Sequence, residues 1–222
     1  MGSRGSTVDF LFANCSFAGP KVLKHVARLG HFSGVALSET HLFEKRHMQR
    51  FNARFQQKGF VQSWVPSRVN PDGTGSSAGL VAAVKKSISF SFQPPPSSHK
   101  HVKFTGLDWV AFMVRFKGVN VLIFYAYFTS GPGVGGVNGT KFVQMLRVKR
   151  ILGVPSLLVA DFNMTPQEVI EGGWARLWNG QVLVPDVDFT CNSRGTKRVI
   201  DFGLGTLDLL GWVAITPYFD GP

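Results

Sequence analysis

The chain has 222 residues, 44% of them hydrophobic, which suits one domain over residues 1–222 with a sizeable core and leaves little room for a second. Its 24 Lys and Arg stand against 13 Asp and Glu, a net charge of +11 that attracts polyanions. Cys15 and Cys191 are too few for a disulfide framework or a zinc cluster, and no stretch reaches the roughly 18 apolar residues of a membrane span, so no membrane partner is expected.

Apolar runs rich in β-branched and aromatic residues alternate with stretches of helical spacing, the pattern of an α/β fold. Val8–Asn14 reads as a strand, Gly19–Leu29 as a helix and Gly34–Glu39 as a second strand. Met48, Phe51 and Phe55, at spacings of three and four, predict a helix over Phe43–Lys58. Extended segments follow at Phe60–Val65, Ala78–Lys85 and Ile88–Gln93, with loops at Arg68–Ser77 and Pro94–Pro96. Leu107–Phe116 and Asn120–Tyr127 read as neighbouring strands joined by a Lys117-Gly118 turn. A glycine-rich loop then leads into a helix over Thr140–Arg150, and Ser156–Ala160 is a buried strand. Thr165, Pro166 and Glu168 are the parts of a capping box and start a further helix. Val199–Phe202 and Leu207–Val213 read as late extended segments.

The basic residues are spread along the chain rather than gathered in a tail. Lys45, Arg46, Arg50, Arg54 and Lys58 form one group, and Lys141, Arg147, Lys149 and Arg150 another. Brought together on one surface, such groups fit nucleic acid or another phosphate-rich partner; left apart, they are a solvated face.

Acids are few, so their positions are informative. Glu39 follows Val35–Ser38, Asp161 follows Leu157–Ala160, Asp201 follows Val199-Ile200, and Asn14 ends Phe10–Ala13. The carboxyl edge of a sheet is where open α/β folds place their sites. Carboxylate and amide oxygens are hard donors suited to Mg²⁺, which takes one or two protein carboxylates and completes its shell with water and substrate phosphate. With β-spacing carried past Asp161, Asp161 and Asn163 point to one side, where they align a water and a phosphate oxygen. Each residue also has a plainer use: Glu39 as a loop anchor, Asp161 and Asn163 as caps of the following turn, and Asp201 as a partner of Arg198.

Phe12-Ala13-Asn14, Leu37-Ser38-Glu39-Thr40-His41-Leu42, Phe124-Tyr125-Ala126-Tyr127, Ala160-Asp161-Phe162-Asn163 and Val199-Ile200-Asp201-Phe202 follow one another in a telling order. In that order and spacing they resemble the endonuclease/exonuclease/phosphatase superfamily, nearest to its apurinic-type and retrotransposon-encoded endonucleases. The resemblance implies a four-layered α/β sandwich, two facing mixed β-sheets with helices outside. It implies Mg²⁺, with Mn²⁺ as a substitute, and makes Glu39 and Asn14 the metal ligands. Tyr127 would contact the scissile phosphate, Asp161 would position and activate the attacking water, Asn163 would hold the phosphate, and Asp201 would orient a histidine. The implied activity is phosphodiester hydrolysis in nucleic acid, DNA before RNA, and Leu37–Leu42 looks closest to the branch that nicks retroelement targets.

The superfamily's Ser-Asp-His element after the last strand has no counterpart. His101 is the last histidine, and the sequence finishes Pro217-Tyr218-Phe219-Asp220-Gly221-Pro222. The expectation is a C-terminal truncation, the alternative being Asp220 in place with glycine for the histidine. A catalytically impaired, nucleic-acid-binding remnant of the fold is therefore the second functional reading. Ala160 stands where the superfamily commonly has glycine.

Gly131-Pro132-Gly133-Val134-Gly135-Gly136 also fits the Gly-x-Gly-x-x-Gly pattern of a dinucleotide-binding unit. Against that rival stand the proline in the tight turn and the distance of Asp161, thirty residues past Gly131, where about twenty is the rule. No nucleophile elbow and no His-Glu-x-x-His motif occurs, and His99 and His101 read as a solvated pair.

Overall fold

Along the first strand, β1 (Phe10–Asn14), Phe10 and Phe12 point one way and Leu11 and Ala13 the other, and each pair joins a different core. The computed structural model describes residues 7–15, 29–42, 44–69, 76–96, 102–193 and 196–216. The second strand, β2 (Gly34–Ser38), runs parallel to β1. The helix predicted over Gly19–Leu29 lies outside the described residues apart from Leu29, which opens a 3-10 turn ending at His31.

Helix α1 (Lys45–Gln57) buries Phe51 and Phe55 against Leu11, Val35, Leu37 and Phe60, a gain of about 1.5–3 kcal/mol for each ring removed from water. Gly59, at φ +77°, turns the chain out of it. β3 (Phe60–Val65) is followed by a small antiparallel ribbon, β4 (Arg68–Val69) and β5 (Ser76–Ser77), where the sequence suggested only a loop. β6 (Leu80–Lys85) then completes a mixed four-stranded sheet in the order β1-β2-β6-β3.

The second sheet begins with the short strands β7 (Phe90–Ser91) and β8 (Thr105–Gly106), both paired to β9 (Trp109–Phe116). β9 and β10 (Val119–Tyr127) form a hairpin whose turn residues, Lys117 at φ +48° and Gly118 at φ +84°, are both left-handed, the geometry that matches strand twist. Helix α2 (Gly136–Leu152) connects β10 to the parallel strand β11 (Ser156–Asp161), and its end is a left-handed Gly153 whose N–H donates to Lys149 O at 2.9 Å. It starts four residues earlier than its apolar spacing predicts, because the buried Asn138 fastens the first turn from within.

Two short helices, α3 (Pro166–Glu171) and α4 (Trp174–Trp178), follow. The Thr165 capping box is complete: Thr165 N donates to Glu168 Oε2 at 2.6 Å and Glu168 N to Thr165 Oγ1 at 3.3 Å. Next come β12 (Gly180–Leu183), the hairpin of β13 (Cys191–Ser193) and β14 (Thr196–Arg198), and β15 (Asp201–Thr206). Seven strands share the second sheet, ordered β12-β15-β11-β10-β9-β7 with β8 beside β9.

Two of the late extended segments fall elsewhere than expected. The last strand is β15, starting where Val199–Phe202 was to end, and Leu207–Leu209 is a 3-10 turn that buries Leu209. Gly203 and Gly205 hid that strand. A Cβ on Gly203 would lie 2.7 Å from Ile215 Cδ1 and 3.2 Å from Leu158 O, so neighbouring chain packs onto the backbone there.

Period-two alternation sorts the side chains into layers. Trp109, Ala111, Leu122, Phe124, Leu158 and Phe202 face out toward α2, α3 and α4, whereas Val110, Phe112, Ile123 and Tyr125 face in, against Ala36, Leu80 and Ala82 of the first sheet. Among the described residues the result is the four-layered sandwich: α1, the four-stranded sheet, the seven-stranded sheet, and helices α2, α3 and α4. No helix among the described residues is long and apolar enough to cross a membrane.

Candidate active site

All six residues singled out in the sequence gather at one edge of the space between the sheets. β1 and β2 are parallel with Asn14 opposite Ser38, so Asn14 and Glu39 emerge side by side from the first sheet. In the second sheet Tyr127 lies opposite Asp161, and Asp161 opposite Asp201, in one row across three strands. The alternation that turns Tyr125 and Val159 inward turns Tyr127 and Asp161 inward as well. Asp201 reaches this edge differently from the rest: it opens β15 rather than ending a strand, and β15 runs antiparallel to β11.

The two sheets meet at Asn14. Its amide nitrogen donates to Glu39 Oε2 at 2.6 Å and to Asp161 Oδ2 at 2.9 Å, so carboxylates from opposite sheets converge on one positively polarised group. The Tyr127 phenol lies within hydrogen-bonding reach of Glu39; burial first, then the Glu39 charge, hold it well above its ordinary value. Burial first, then the Asp201 charge, push Asp161 up to about 7. Burial raises Asp201 to about 6, opposed by the Thr190 hydroxyl. That hydroxyl oxygen also accepts the N–H groups of Ile200 at 2.9 Å and Asp201 at 3.0 Å, fixing the start of β15.

Backbone strain concentrates here. Glu39 (φ +51°), His41 (φ +53°) and Asn163 (φ +51°) all take the left-handed conformation that ordinary residues avoid. The Glu39 turn is secured from the other side: Thr40 N donates to Gly79 O at 3.2 Å, His41 N to Ala78 O at 3.1 Å, and the Ser76 hydroxyl to His41 O at 2.9 Å. Beneath Asp161, Phe162 stacks on Phe202 at 4.0 Å and on Phe128 at 5.2 Å, so the turn that follows rests on a buried aromatic column.

Strand spacing does not continue past Asp161. Asn163 N donates to Asp161 Oδ1 at 3.1 Å in an Asx-type turn, and Asn163 Nδ2 donates to Phe128 O at 2.9 Å. The pair therefore sits together by a turn and not by period two. Asp201 does not pair with Arg198, which goes instead to the exposed Glu168 at 3.1 Å. The following helix is capped by Thr165, so Asp161 and Asn163 close the turn before it and not the helix end itself.

Among the described residues no group of three or more His, Cys, Asp and Glu side chains is arranged to hold a metal ion. The donor chemistry nonetheless fits Mg²⁺, which needs one or two carboxylates and leaves the rest of its shell to water and phosphate. Two carboxylate oxygens already converge on a polarised N–H group, and the same amide carries a hard oxygen on its other side.

No protein-family model and no curated protein matches the sequence. Solved structures do match it. The endonuclease domain of TRAS1, a telomere-specific non-LTR retrotransposon, is similar over 92% of this chain and 88% of its own, with 16% identity and a TM-score of 0.60. An endonuclease/exonuclease/phosphatase from Bacteroides vulgatus covers 91% of this chain and 88% of its own, at 18% identity and a TM-score of 0.58. The catalytic domain of human Nocturnin covers 85% and 76%, at 12% identity and a TM-score of 0.56. The chain has the endonuclease/exonuclease/phosphatase fold. Known structures of this fold include nucleases and phosphatases, among them an endonuclease domain and a 2′,3′-cyclic phosphatase.

Sequence reading gave no site role to three residues that the fold brings beside the site, Thr190, Asp108 and Lys141. Thr190 lies before the β13–β14 hairpin, in a stretch with no periodic signal. Asp108, read as part of a strand, precedes β9 at φ +55° and pairs with Arg68 and Lys141. Lys141, grouped with the surface cations, is fully buried. A rare acid between a glycine and an apolar run was the available signal. In the glycine loop, Asn138 Nδ2 donates to Thr129 O at 2.8 Å and Gly133 O at 2.9 Å, so the loop is closed on its own side chain. His99, His101, Asp220 and Gly221 lie outside the described residues.

Proposed function

We propose that this chain is a Mg²⁺-dependent phosphodiesterase acting on nucleic acid, of the DNA endonuclease type. The observation that carries the reading is the convergence of Glu39 and Asp161, from opposite sheets, on Asn14, with Tyr127 and Asp201 in the same row. Glu39 and Asn14 hold the metal, which when bound neutralises charge on the phosphate and favours in-line attack. Tyr127, a phenol held protonated by burial and by Glu39, turns its one O–H from Glu39 to a phosphate oxygen when substrate is bound. Asp161, with a pKa of about 7, is poised to accept a proton from the attacking water near neutral pH. Asn163 retains one amide hydrogen beyond its bond to Phe128 and directs it at the phosphate. The net charge of +11 favours nucleic acid over small phosphoesters, and the resemblance of the Leu37–Leu42 block favours target-site nicking over abasic-site cleavage.

A second reading, nucleic-acid binding without turnover, draws on Asp201: among the described residues, the group met by its carboxyl is the Thr190 hydroxyl. Both readings are tested by hydrolysis of bis(p-nitrophenyl) phosphate with Mg²⁺. The parent chain is expected to release p-nitrophenol and Glu39→Gln to do so at least 100-fold more slowly. Equal rates for the two would remove Glu39 from the site; no release by either, with DNA binding intact, would favour the second reading.

A further inference from the structure

Three charged side chains from three separate segments meet beside the candidate active site. One oxygen of Asp108, Oδ2, receives Arg68 Nη2 at 2.9 Å and Lys141 Nζ at 2.7 Å. Asp108 is 2% exposed and Lys141 0%, whereas the Arg68 side chain is 48% exposed. Lys141 also donates to Tyr127 O at 3.0 Å and Thr129 Oγ1 at 3.2 Å, and Asp108 O accepts the Tyr127 N–H at 2.9 Å.

The cluster holds two positive charges and one negative. Lys141 alone neutralises the buried carboxylate, as a buried charge requires. Arg68 is therefore surplus for stability, and its bond to Asp108 occupies one of five N–H donors. Its position spans the cleft. It lies on β4, whose partner β5 carries the Ser76 that is bonded to His41, two residues from Glu39; through Asp108 it is tied to the end of β10 that bears Tyr127. The Asp108 charge reaches the Tyr127 phenol. A guanidinium held in this way offers a planar fork of donors matched to phosphate oxygens, with little freedom left to lose on binding.

We infer that Arg68, braced by Asp108 and Lys141, binds a backbone phosphate of the nucleic acid flanking the bond at the site. The inference rests on the nucleic-acid reading above and assigns a second phosphate contact beyond the scissile one.

Salt-dependent binding tests it without requiring turnover. The affinity of a fluorescently labelled DNA duplex is measured by anisotropy in EDTA over a range of salt for the parent, Arg68→Gln, Arg68→Lys and Arg115→Gln. Arg115 is exposed at the opposite end of β9 and controls for net charge. Arg68→Gln is expected to bind about tenfold more weakly and to lower the slope of log affinity against log salt by about 0.9, the share of one phosphate contact. Arg68→Lys keeps most of the slope, and Arg115→Gln matches the parent. A half-exposed ion pair contributes little to folding, so Arg68→Gln should melt within a few degrees of the parent. A parent-like slope for Arg68→Gln overturns the inference and leaves the phosphodiesterase reading standing. Equal losses for Arg68→Gln and Arg115→Gln overturn it as well, by assigning the effect to net charge. A parent chain that binds no duplex overturns both the inference and the nucleic-acid reading.

Discussion

Asp161 shows what holding a carboxylate in a low-dielectric slot does to the free protein. Its pKa of about 7, against 3.8 for an ordinary aspartate, means that the folded state holds the proton more tightly than the unfolded chain does. The stability tied to that proton is fully present below about pH 4 and is lost as the pH rises toward 7. Asp201, at about 6, contributes in the same direction over a slightly lower range. In EDTA, urea unfolding is therefore expected to give a lower stability at pH 8 than at pH 5. Asp161→Asn, which keeps a neutral group in place, should match the parent only below about pH 4, exceed it by on the order of 1–2 kcal/mol at pH 5 and by on the order of 4 kcal/mol at pH 8. A parent whose stability does not fall between these pH values would show that Asp161 is solvated and not buried. The candidate site thus works against folding.

At the scale of elements, the Glu39 turn depends on a glycine with no side chain to contribute. Gly79 has φ +88°, and a Cβ there would lie 2.6 Å from Thr40 Oγ1 and 3.0 Å from Ser67 Cβ. Gly79→Ala is expected to cost about 1–3 kcal/mol in stability and, by displacing the turn, to reduce phosphodiesterase activity more than a remote variant of equal stability does. Unchanged activity would mean that the turn is not positioned from β6. Several sheet elements were legible from their runs alone: the edge strand Phe60–Val65 and the β9–β10 hairpin agree with the sequence to within two residues, and the capping box at Thr165 is complete. β15 was misplaced because its glycines serve close packing, which is a property of neighbouring chain and leaves no local mark. Helix α2 started early because Asn138 holds its first turn through bonds to residues five and nine positions away, beyond the reach of propensity.

Across the whole molecule, four of the six candidate site residues, Asn14, Glu39, Asp161 and Asp201, were legible at the ends of apolar runs, and topology turns strand ends into neighbours. Parallel pairing of β1 with β2 and of β10 with β11 sets four of those ends along one edge, and antiparallel β15 brings the start of a strand to the same place. What the sequence did not convey is the set of charges behind the site. Lys141 looks like any surface lysine in the sequence, and only the fold reveals it beneath Tyr127 with Asp108. The central claim is that these converging groups form one phosphodiesterase site acting on DNA. The most direct measurement is nicking of supercoiled DNA by the purified chain in Mg²⁺, beside Asp161→Ala prepared in the same way. The account predicts conversion to the open-circular form by the parent, blocked by EDTA and reduced at least 100-fold in Asp161→Ala; nicking no greater than that of Asp161→Ala would contradict it.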